Sequence, residues 1–397
     1  MNERRLRAAL RRTRPPDVAD ARERARAVAR ASYASRAPGT PPRPRRIGLP
    51  AAVMLAAALE AFVITLTPPG DAVADWVRDL VRGASDPPRP QPALARLPGD
   101  GRLLVSGPGG SWIVHRDGSR RRLGGYREAT WSPQGRFVGA TRGRDLVAVD
   151  PQGAIRWVLS RPAAVHDPRW SPSGFRIAYR SGAGLRVVAG DGSGDRLVAR
   201  RVPAIAAAWR PAAHHVLSYV DRSRRIVISD LDATRRLGRL RAGIAVRRLE
   251  WSQDGNRLLV AGRRSVRLLD ASGRVVTALD ARAGTEFLDA KLSPGGGQIA
   301  IAARHVTDGR HEVLLASARR PRLRLRSVFR AVGSIRSVTW APDRRIVLAD
   351  WVGTDQWLFL PTGRGAAATA VGGIAAHFSP GRGRSRAAVR VESWCCP

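Results

Sequence analysis

The chain of 397 residues is long enough for two average domains, or for one large repeat domain with appended segments. Only two cysteines occur, adjacent at positions 395 and 396, so a disulfide framework is excluded and we interpret both as thiols of the terminal tail. The formal net charge of +37 comes almost entirely from arginine, with Lys291 as the only lysine, spread along the whole chain. This distribution argues against specific nucleic-acid binding, which gathers basic residues on one element.

Residues 1–46 form the first segment and carry 14 arginines against four acidic residues. Asp17 is a plausible N-cap for the alanine- and arginine-rich run that follows it. The segment has few apolar residues and therefore no core of its own. We predict a basic, partly helical cytoplasmic arm, which either lies against lipid headgroups or folds on a cytoplasmic partner.

Residues 47–66 form an apolar run with one charge, Glu60, and the run has the length of a membrane-spanning helix. Arginines are denser on its N-terminal side, at positions 30, 36, 43, 45 and 46, than on its C-terminal side, where Arg78 and Arg82 are the nearest. The positive-inside rule then places the N-terminus in the cytoplasm and the bulk of the chain outside. A cleaved signal peptide, with Ala72-Val73-Ala74 as its cleavage site, and a buried globular helix are the alternatives.

Residues 67–99 connect this predicted membrane helix to the rest of the chain. Val73, Trp76, Val77 and Leu80 share one helical face, which is typical of a helix at the membrane interface. A proline-rich stretch, residues 86–92, follows as a semi-rigid linker.

From residue 100 onward a short phrase recurs, usually a Trp followed by Ser-Pro and, two residues later, Gly. Its copies begin at Trp131, Trp170, Trp209, Trp251, Leu292, Trp340 and Phe378. The intervals are 39, 39, 42, 41, 48 and 38 residues. A period near 40 with several short strands in each unit indicates the blades of a β-propeller.

Within each unit an apolar run ending in small residues follows the phrase, as in Ile299-Ala-Ile-Ala302. Because lateral room is least where blades converge, we expect this run to be the innermost strand, with the phrase closing the preceding blade. The tryptophans are then large packing residues between blades. Residues 385–394 become a surplus strand that pairs with the first blade and locks the ring.

The phrase with its following Ile/Val-Ala run resembles the WD40-like repeat of TolB and its relatives, over residues 100 to about 395. The resemblance implies an all-β, seven-bladed propeller of four-stranded blades over residues 100–397, used for protein contacts. Counts of eight blades, or of six with irregular ends, are the alternatives. The third copy, at Trp209, lacks the Ser and the Gly.

No nucleophile elbow, zinc motif, phosphate-binding loop or dinucleotide fingerprint occurs, so we predict neither catalytic residues nor a cofactor nor a metal. The insertion from residue 303 to 311 contains His305, Asp308 and His311, which are residue types that can bind a metal ion or transfer protons. It is the one stretch of the sequence that could form such a site. We interpret these histidines as ordinary loop residues.

Five charged residues follow the predicted inner strands, where loops line one mouth of the channel: Arg142, Arg180, Asp221, Arg263 and Asp350. A basic mouth favours an anionic ligand. The sequence thus predicts a non-enzymatic propeller outside the cell membrane that binds a protein or an anionic envelope component. The alternatives are a transmembrane regulator with an anti-sigma-like role and a propeller lactonase or hydrolase.

Overall fold

A computed structural model of the protein describes residues 96–213, 215–318, 324–378 and 389–396. The predicted arm (1–46), membrane helix (47–66) and nearly all of the linker segment (67–99) lie outside these ranges. Within the described residues, no helix has the length and apolar character needed to span a bilayer.

The described strands form seven antiparallel four-stranded sheets, which we call blades 1 to 7, with strands numbered in chain order. Blade 1 contains Arg102–Gly107 (β1), Gly110–Val114 (β2), Arg120–Gly124 (β3) and, from the end of the chain, Arg390–Cys395 (β28). Blade 2 contains Ala129–Trp131 (β4), Val138–Arg142 (β5), Asp145–Val149 (β6) and Ile155–Ser160 (β7). Blade 3 contains Val165–Trp170 (β8), Arg176–Ser181 (β9), Gly184–Ala189 (β10) and Arg196–Ala199 (β11).

Blade 4 contains Ala208–Trp209 (β12), Val216–Val220 (β13), Ile226–Asp230 (β14) and Arg235–Leu240 (β15). Blade 5 contains Arg248–Trp251 (β16), Arg257–Ala261 (β17), Ser265–Asp270 (β18) and Val275–Asp280 (β19). Blade 6 contains Thr285–Leu292 (β20), Gln298–His305 (β21), Arg310–Ser317 (β22) and Leu325–Val332 (β23). Blade 7 contains Ile335–Trp340 (β24), Ile346–Trp351 (β25), Gln356–Pro361 (β26) and Thr369–Gly372 (β27). Blade 7 also carries a 3-10 turn, Val352–Thr354, and a short helix, Ile374–His377 (α1).

The prediction of seven four-stranded blades is confirmed, but the order of strands within a blade differs from the expected one. The strand that ends at the repeated Trp is the edge strand nearest the axis, since β4, β8, β12, β16, β20, β24 and β28 contact one another around the ring. The run after the phrase is therefore the second strand. Its small residues, such as Ala300 and Ala302, are fully buried against the side chains of blade 7, where close packing between sheets requires small side chains.

The ring closes through the last described strand. β28 pairs antiparallel with β1, with Leu103 opposite Trp394 and Leu104 opposite Ser393. The predicted pairing with the first blade is thus confirmed, but β28 is not surplus, because it is the innermost strand of blade 1. The interpretation of both cysteines as thiols of the terminal tail is wrong: Cys395 belongs to β28, and the structure records a disulfide between Cys395 and Cys396.

The seventh Trp position differs from the sequence prediction as well. Phe378 follows helix α1 instead of ending a strand, and its fully buried ring packs against Trp112 and Trp357. Trp394 occupies the strand-end position in blade 1, and the turn that follows it in the other blades is supplied here by residues 98–101 from the start of the domain.

A hydrogen bond to the Ser and the backbone conformation of the Gly explain why the Trp-Ser-Pro-x-Gly phrase is repeated. In four copies the Ser hydroxyl accepts a hydrogen bond from the backbone N–H five residues later, at 3.0 Å from Phe137 to Ser132 and 2.9 Å from Arg257 to Ser252. The same bond forms at Ser171 and Ser293. The Gly has a positive φ, +64° at Gly135, which a residue with a side chain adopts only under strain. The phrase is therefore the tight turn from the first to the second strand.

Candidate functional site

The innermost strands surround a central channel, and the residue directly before each strand-end Trp or Leu forms a ring within it. The ring consists of Thr130, Arg169, Ala208, Glu250, Lys291, Thr339 and Ser393. Because side chains alternate along a strand, the next residue points into the blade and the ring residue points to the axis. Six of the seven ring residues line a cavity of about 440 Å³, together with Trp131, Trp170, Trp209 and Trp251.

The tryptophans fix the innermost strands to their neighbours. Trp209 donates its indole N–H to the carbonyl oxygen of Arg169 in the preceding blade at 2.8 Å, and Trp340 donates to that of Lys291 at 3.0 Å. Trp251 donates to the Ser218 hydroxyl at 3.0 Å, and Trp394 donates to the Asp100 carbonyl at 2.8 Å. Two of these bonds, from Trp209 and Trp340, join neighbouring innermost strands directly.

One ion pair in the channel is fully formed. Arg248 Nε lies 2.9 Å from Asp289 Oδ1, and the nearby Asp289 carboxylate raises the pKa of Arg248. The second oxygen of Asp289 accepts a hydrogen bond from the Val338 amide at 3.2 Å. Asp289 therefore links blades 5, 6 and 7 at the channel wall.

The other channel charges are half-buried, and their burial shifts their pKa values. Burial lowers the pKa of Arg169 and the pKa of Lys291, and it raises the pKa of Glu250. The Glu250 carboxylate accepts a hydrogen bond from the Leu292 amide at 3.3 Å. The cavity therefore brings partly buried charges of both signs together.

The five predicted mouth residues all lie at one end of the second strands, near the turns to the third strands. We call this the upper face, formed by those turns and by the connections between blades. Arg142 pairs with Asp145 at 3.4 Å and Arg180 with Asp167 at 2.7 Å. Asp221 pairs with Arg239 at 2.7 Å and Arg263 with Glu286 at 2.8 Å. Four of the five residues are thus occupied by partners within the protein.

Asp350, the fifth of these residues, is buried in β25 with 3% of its surface exposed. One of its carboxylate oxygens has no hydrogen-bond partner among the described residues. Burial raises the pKa of Asp350 to about 7. It therefore does not present a charge at the mouth, because its side chain is enclosed by the blade.

The sequence predicted unpaired positive charge at the channel mouth, but the structure has such charge in a groove between blades 3 and 4 on the upper face. Its exposed arginines are Arg200, Arg201, Arg222, Arg236 and Arg239. We call this set the arginine groove, and it adjoins cavities of about 510 and 330 Å³. Asp221, bound to Arg239, is its one lining carboxylate within the described chain. The sequence did not single out Arg200 and Arg201, because arginine pairs occur along the whole chain.

The prediction that His305 and His311 are loop residues is wrong: His305 ends β21 and His311 lies in β22, with only residues 306–309 forming the turn between them. His305 Nε2 lies 2.9 Å from Glu312, and Nδ1 of the buried His311 accepts a hydrogen bond from the Ile335 amide at 3.1 Å. No cluster of three His, Cys, Asp or Glu residues suited to a metal ion occurs in the described ranges.

Comparison with known proteins identifies the fold. No protein-family model and no curated protein matches the chain. Among solved structures, the β-propeller domain of Cps50 (Swd1) from Myceliophteria thermophila has a TM-score of 0.51 and 14% identity, over 62% of this chain and 86% of that one. A chain of the Mitotic Checkpoint Complex has a TM-score of 0.51 and 18% identity, over 72% and 85%. Hsv2 of Kluyveromyces lactis has a TM-score of 0.51 and 13% identity, over 68% and 93%.

The chain folds as a WD40-like seven-bladed propeller. At these identities the similarity concerns the fold alone, so the function has to be argued from the surface of this propeller.

Proposed function

We propose that the protein is a non-enzymatic binding module that holds an acidic partner protein on the upper face of its propeller. The arginine groove is the observation that supports this proposal. Arg200, Arg201, Arg222 and Arg236 are exposed and form no ion pair with any described residue, so their charge is available to a partner.

The groove gathers four arginines without ion pairs around two adjoining cavities. On other parts of the upper face some arginines are matched by carboxylates, as Arg180 is by Asp167 and Arg304 by Glu286. Like charges brought together at one place raise the local positive potential, which steers acidic surfaces toward the groove and weakens with added salt. A segment rich in Asp and Glu is the partner chemistry that fits, since arginine binds carboxylates through two parallel hydrogen bonds.

One structural neighbour also supports a scaffold role. The Mitotic Checkpoint Complex contains a propeller of the same fold within a protein assembly. Propellers present rigid loops on a stable ring, and binding residues are disproportionately carried by such loops. The upper face of this chain offers that arrangement at blades 3 and 4.

Charge reversal in the groove tests the proposal. We expect Arg200→Glu/Arg201→Glu in the full chain to lose the captured partner in a pull-down from membrane extract, with the wild-type interaction weakening as salt increases. The matched control is Arg120→Glu/Arg121→Glu, a second exposed arginine doublet, on β3 of blade 1, which changes the net charge equally. Equal capture by both variants, or capture abolished by nuclease treatment, would overturn the assignment of an acidic protein partner.

We further propose that residues 47–66 tether the module to the cell membrane, with the arm 1–46 in the cytoplasm and the propeller outside. The apolar run with arginines on its N-terminal side supports this topology. Protease added to intact cells should digest the propeller while leaving the N-terminal arm. Protection of the propeller in intact cells, with digestion after lysis, would reverse the orientation.

A further inference from the structure

Two cations of the channel ring have no carboxylate partner among the described residues. The Arg169 guanidinium donates a hydrogen bond of 2.8 Å to the carbonyl oxygen of Pro168. The Lys291 ammonium donates one of 3.2 Å to the Thr339 hydroxyl. Neither forms a salt bridge within the described part of the chain, and both are half-buried. Each therefore retains N–H groups that can donate into the cavity.

These two cations face each other across the channel. Arg169 belongs to blade 3 and Lys291 to blade 6, and in a ring of seven blades a separation of three is the largest possible. Both occupy the position directly before the strand end, so they lie at the same height. The cavity of about 440 Å³ lies between them and is lined by both.

The channel carboxylates do not neutralise these cations. Among the described residues, four cations (Arg169, Arg248, Lys291 and Arg390) share the channel with three carboxylates (Glu250, Asp289 and Glu392). Asp289 is bound to Arg248, and Glu392 lies 3.7 Å from Arg390. Burial raises the pKa of Glu250 and the pKa of Glu392, just as it lowers the pKa of Arg169 and the pKa of Lys291. With four cations and three carboxylates, the channel has an excess of positive charge, which a bound anion would stabilise.

We propose that the channel binds a small anion that carries a carboxylate or phosphate group, held between Arg169 and Lys291. The hydroxyls of Thr130 and Ser393, in the same ring, supply further hydrogen bonds. The cavity volume lies within the range of about 300–1,000 Å³ that is usual for small-molecule sites. This site is separate from the arginine groove, so either proposal can fail without the other.

Calorimetric titration of the full chain with inorganic phosphate and with citrate, at constant ionic strength maintained by chloride, tests the site. We expect Arg169→Gln and Lys291→Met each to weaken binding about ten-fold or more, as loss of a charge-assisted hydrogen bond does, and the double variant to abolish it. Lys291→Arg keeps the cation and should keep binding. The control Arg120→Gln/Arg121→Gln removes two exposed charges and should bind as the wild type does. The stronger of the two probes distinguishes a phosphate ligand from a carboxylate ligand.

Thermal unfolding separates loss of the site from loss of the fold. Without added anion, the double variant should unfold at the wild-type temperature or above it, because two desolvated charges have been removed. Phosphate or citrate should raise the unfolding temperature of the wild type and leave that of the double variant unchanged. Three results would overturn the proposal: equal binding by all variants, loss of binding only in Arg200→Gln/Arg201→Gln, or no binding of either probe to the wild type.

Discussion

Replacement of Asp350 by Asn tests the electrostatic description of the propeller interior most directly. Asp350 is 3% exposed, and one of its carboxylate oxygens has no partner among the described residues. Burial therefore disfavours the ionised form of its carboxyl group. Asn has nearly the same shape as the protonated carboxyl group. The substitution therefore removes the ionisation and leaves the packing in place.

The magnitude follows from the two pKa values of Asp350. Burial raises its pKa from 3.8 to about 7 in the folded protein. Between these values the unfolded chain has released the proton and the folded chain still holds it, so the free energy of unfolding decreases as the pH rises from about 4 to about 7. Above pH 7 both states are ionised and the penalty is constant. A shift of roughly three units, at about 1.36 kcal/mol per unit, corresponds to about 4 kcal/mol.

Urea unfolding of wild type and Asp350→Asn, followed by tryptophan fluorescence at several pH values, measures this difference. The two proteins should be equally stable near pH 4, and the variant should gain about 4 kcal/mol by pH 8. Comparing the two proteins at each pH cancels the titration of all other groups. Asp308→Asn serves as the control, because Asp308 is exposed and the hydrogen bond from the Arg310 amide lowers its pKa, so it should show no gain at alkaline pH.

A stability difference that does not change with pH would refute the reasoning. It would mean that Asp350 is ionised in the folded protein across the whole range. A variant less stable than the wild type at pH 8 would show instead that the carboxylate has an attractive partner. The nearest cations for that role are Arg336 and Arg390, whose charges act against the raised pKa.

Three further substitutions examine ring closure and the packing between strands. Trp394→Ala should cost about 3–5 kcal/mol in urea unfolding, because it removes a buried indole from the closing strand. Trp251→Phe should cost about 1–2 kcal/mol by leaving the Ser218 hydroxyl without its donor, and Ser218→Ala in the same chain should recover part of this loss in a double-mutant cycle. Asp195→Asn should cost about 3 kcal/mol, because the carboxylate is 2.7 Å from Arg186 and accepts the Tyr179 hydroxyl at 2.6 Å.

Each of these outcomes has a clear contrary result. A Trp394→Ala protein as stable as the wild type would show that β28 does not close the ring. Additive effects of Trp251→Phe and Ser218→Ala would show that the two side chains do not interact. An Asp195→Asn protein that keeps wild-type stability would show that its ion pairs are offset by desolvation.

The arrangement of charged residues shows where sequence reasoning reached its limit. Arg142, Arg180, Asp221 and Arg263 were predicted at one mouth from their positions after a strand, and the structure places them on one face. Asp167, the partner of Arg180, lies on another strand of the same blade, and Glu286, the partner of Arg263, lies on the next blade. Pairing of this kind depends on the register of strands and the angle between blades, which no local pattern encodes.

The sequence by itself determined the fold class and the number of blades. The repeated turn is local: the Ser132 hydroxyl binds an amide five residues on, and Gly135 supplies the positive φ, so the same letters recur wherever the same turn recurs. The tertiary structure alone decided which strand lies at the axis, because that depends on pairing between β1 and β28, which come from opposite ends of the propeller sequence. Closure by β28 completes the channel, and only the closed channel brings Arg169 and Lys291 face to face. The sequence alone could not predict that Arg169 and Lys291 share a cavity, because the two residues belong to repeats that are far apart in sequence.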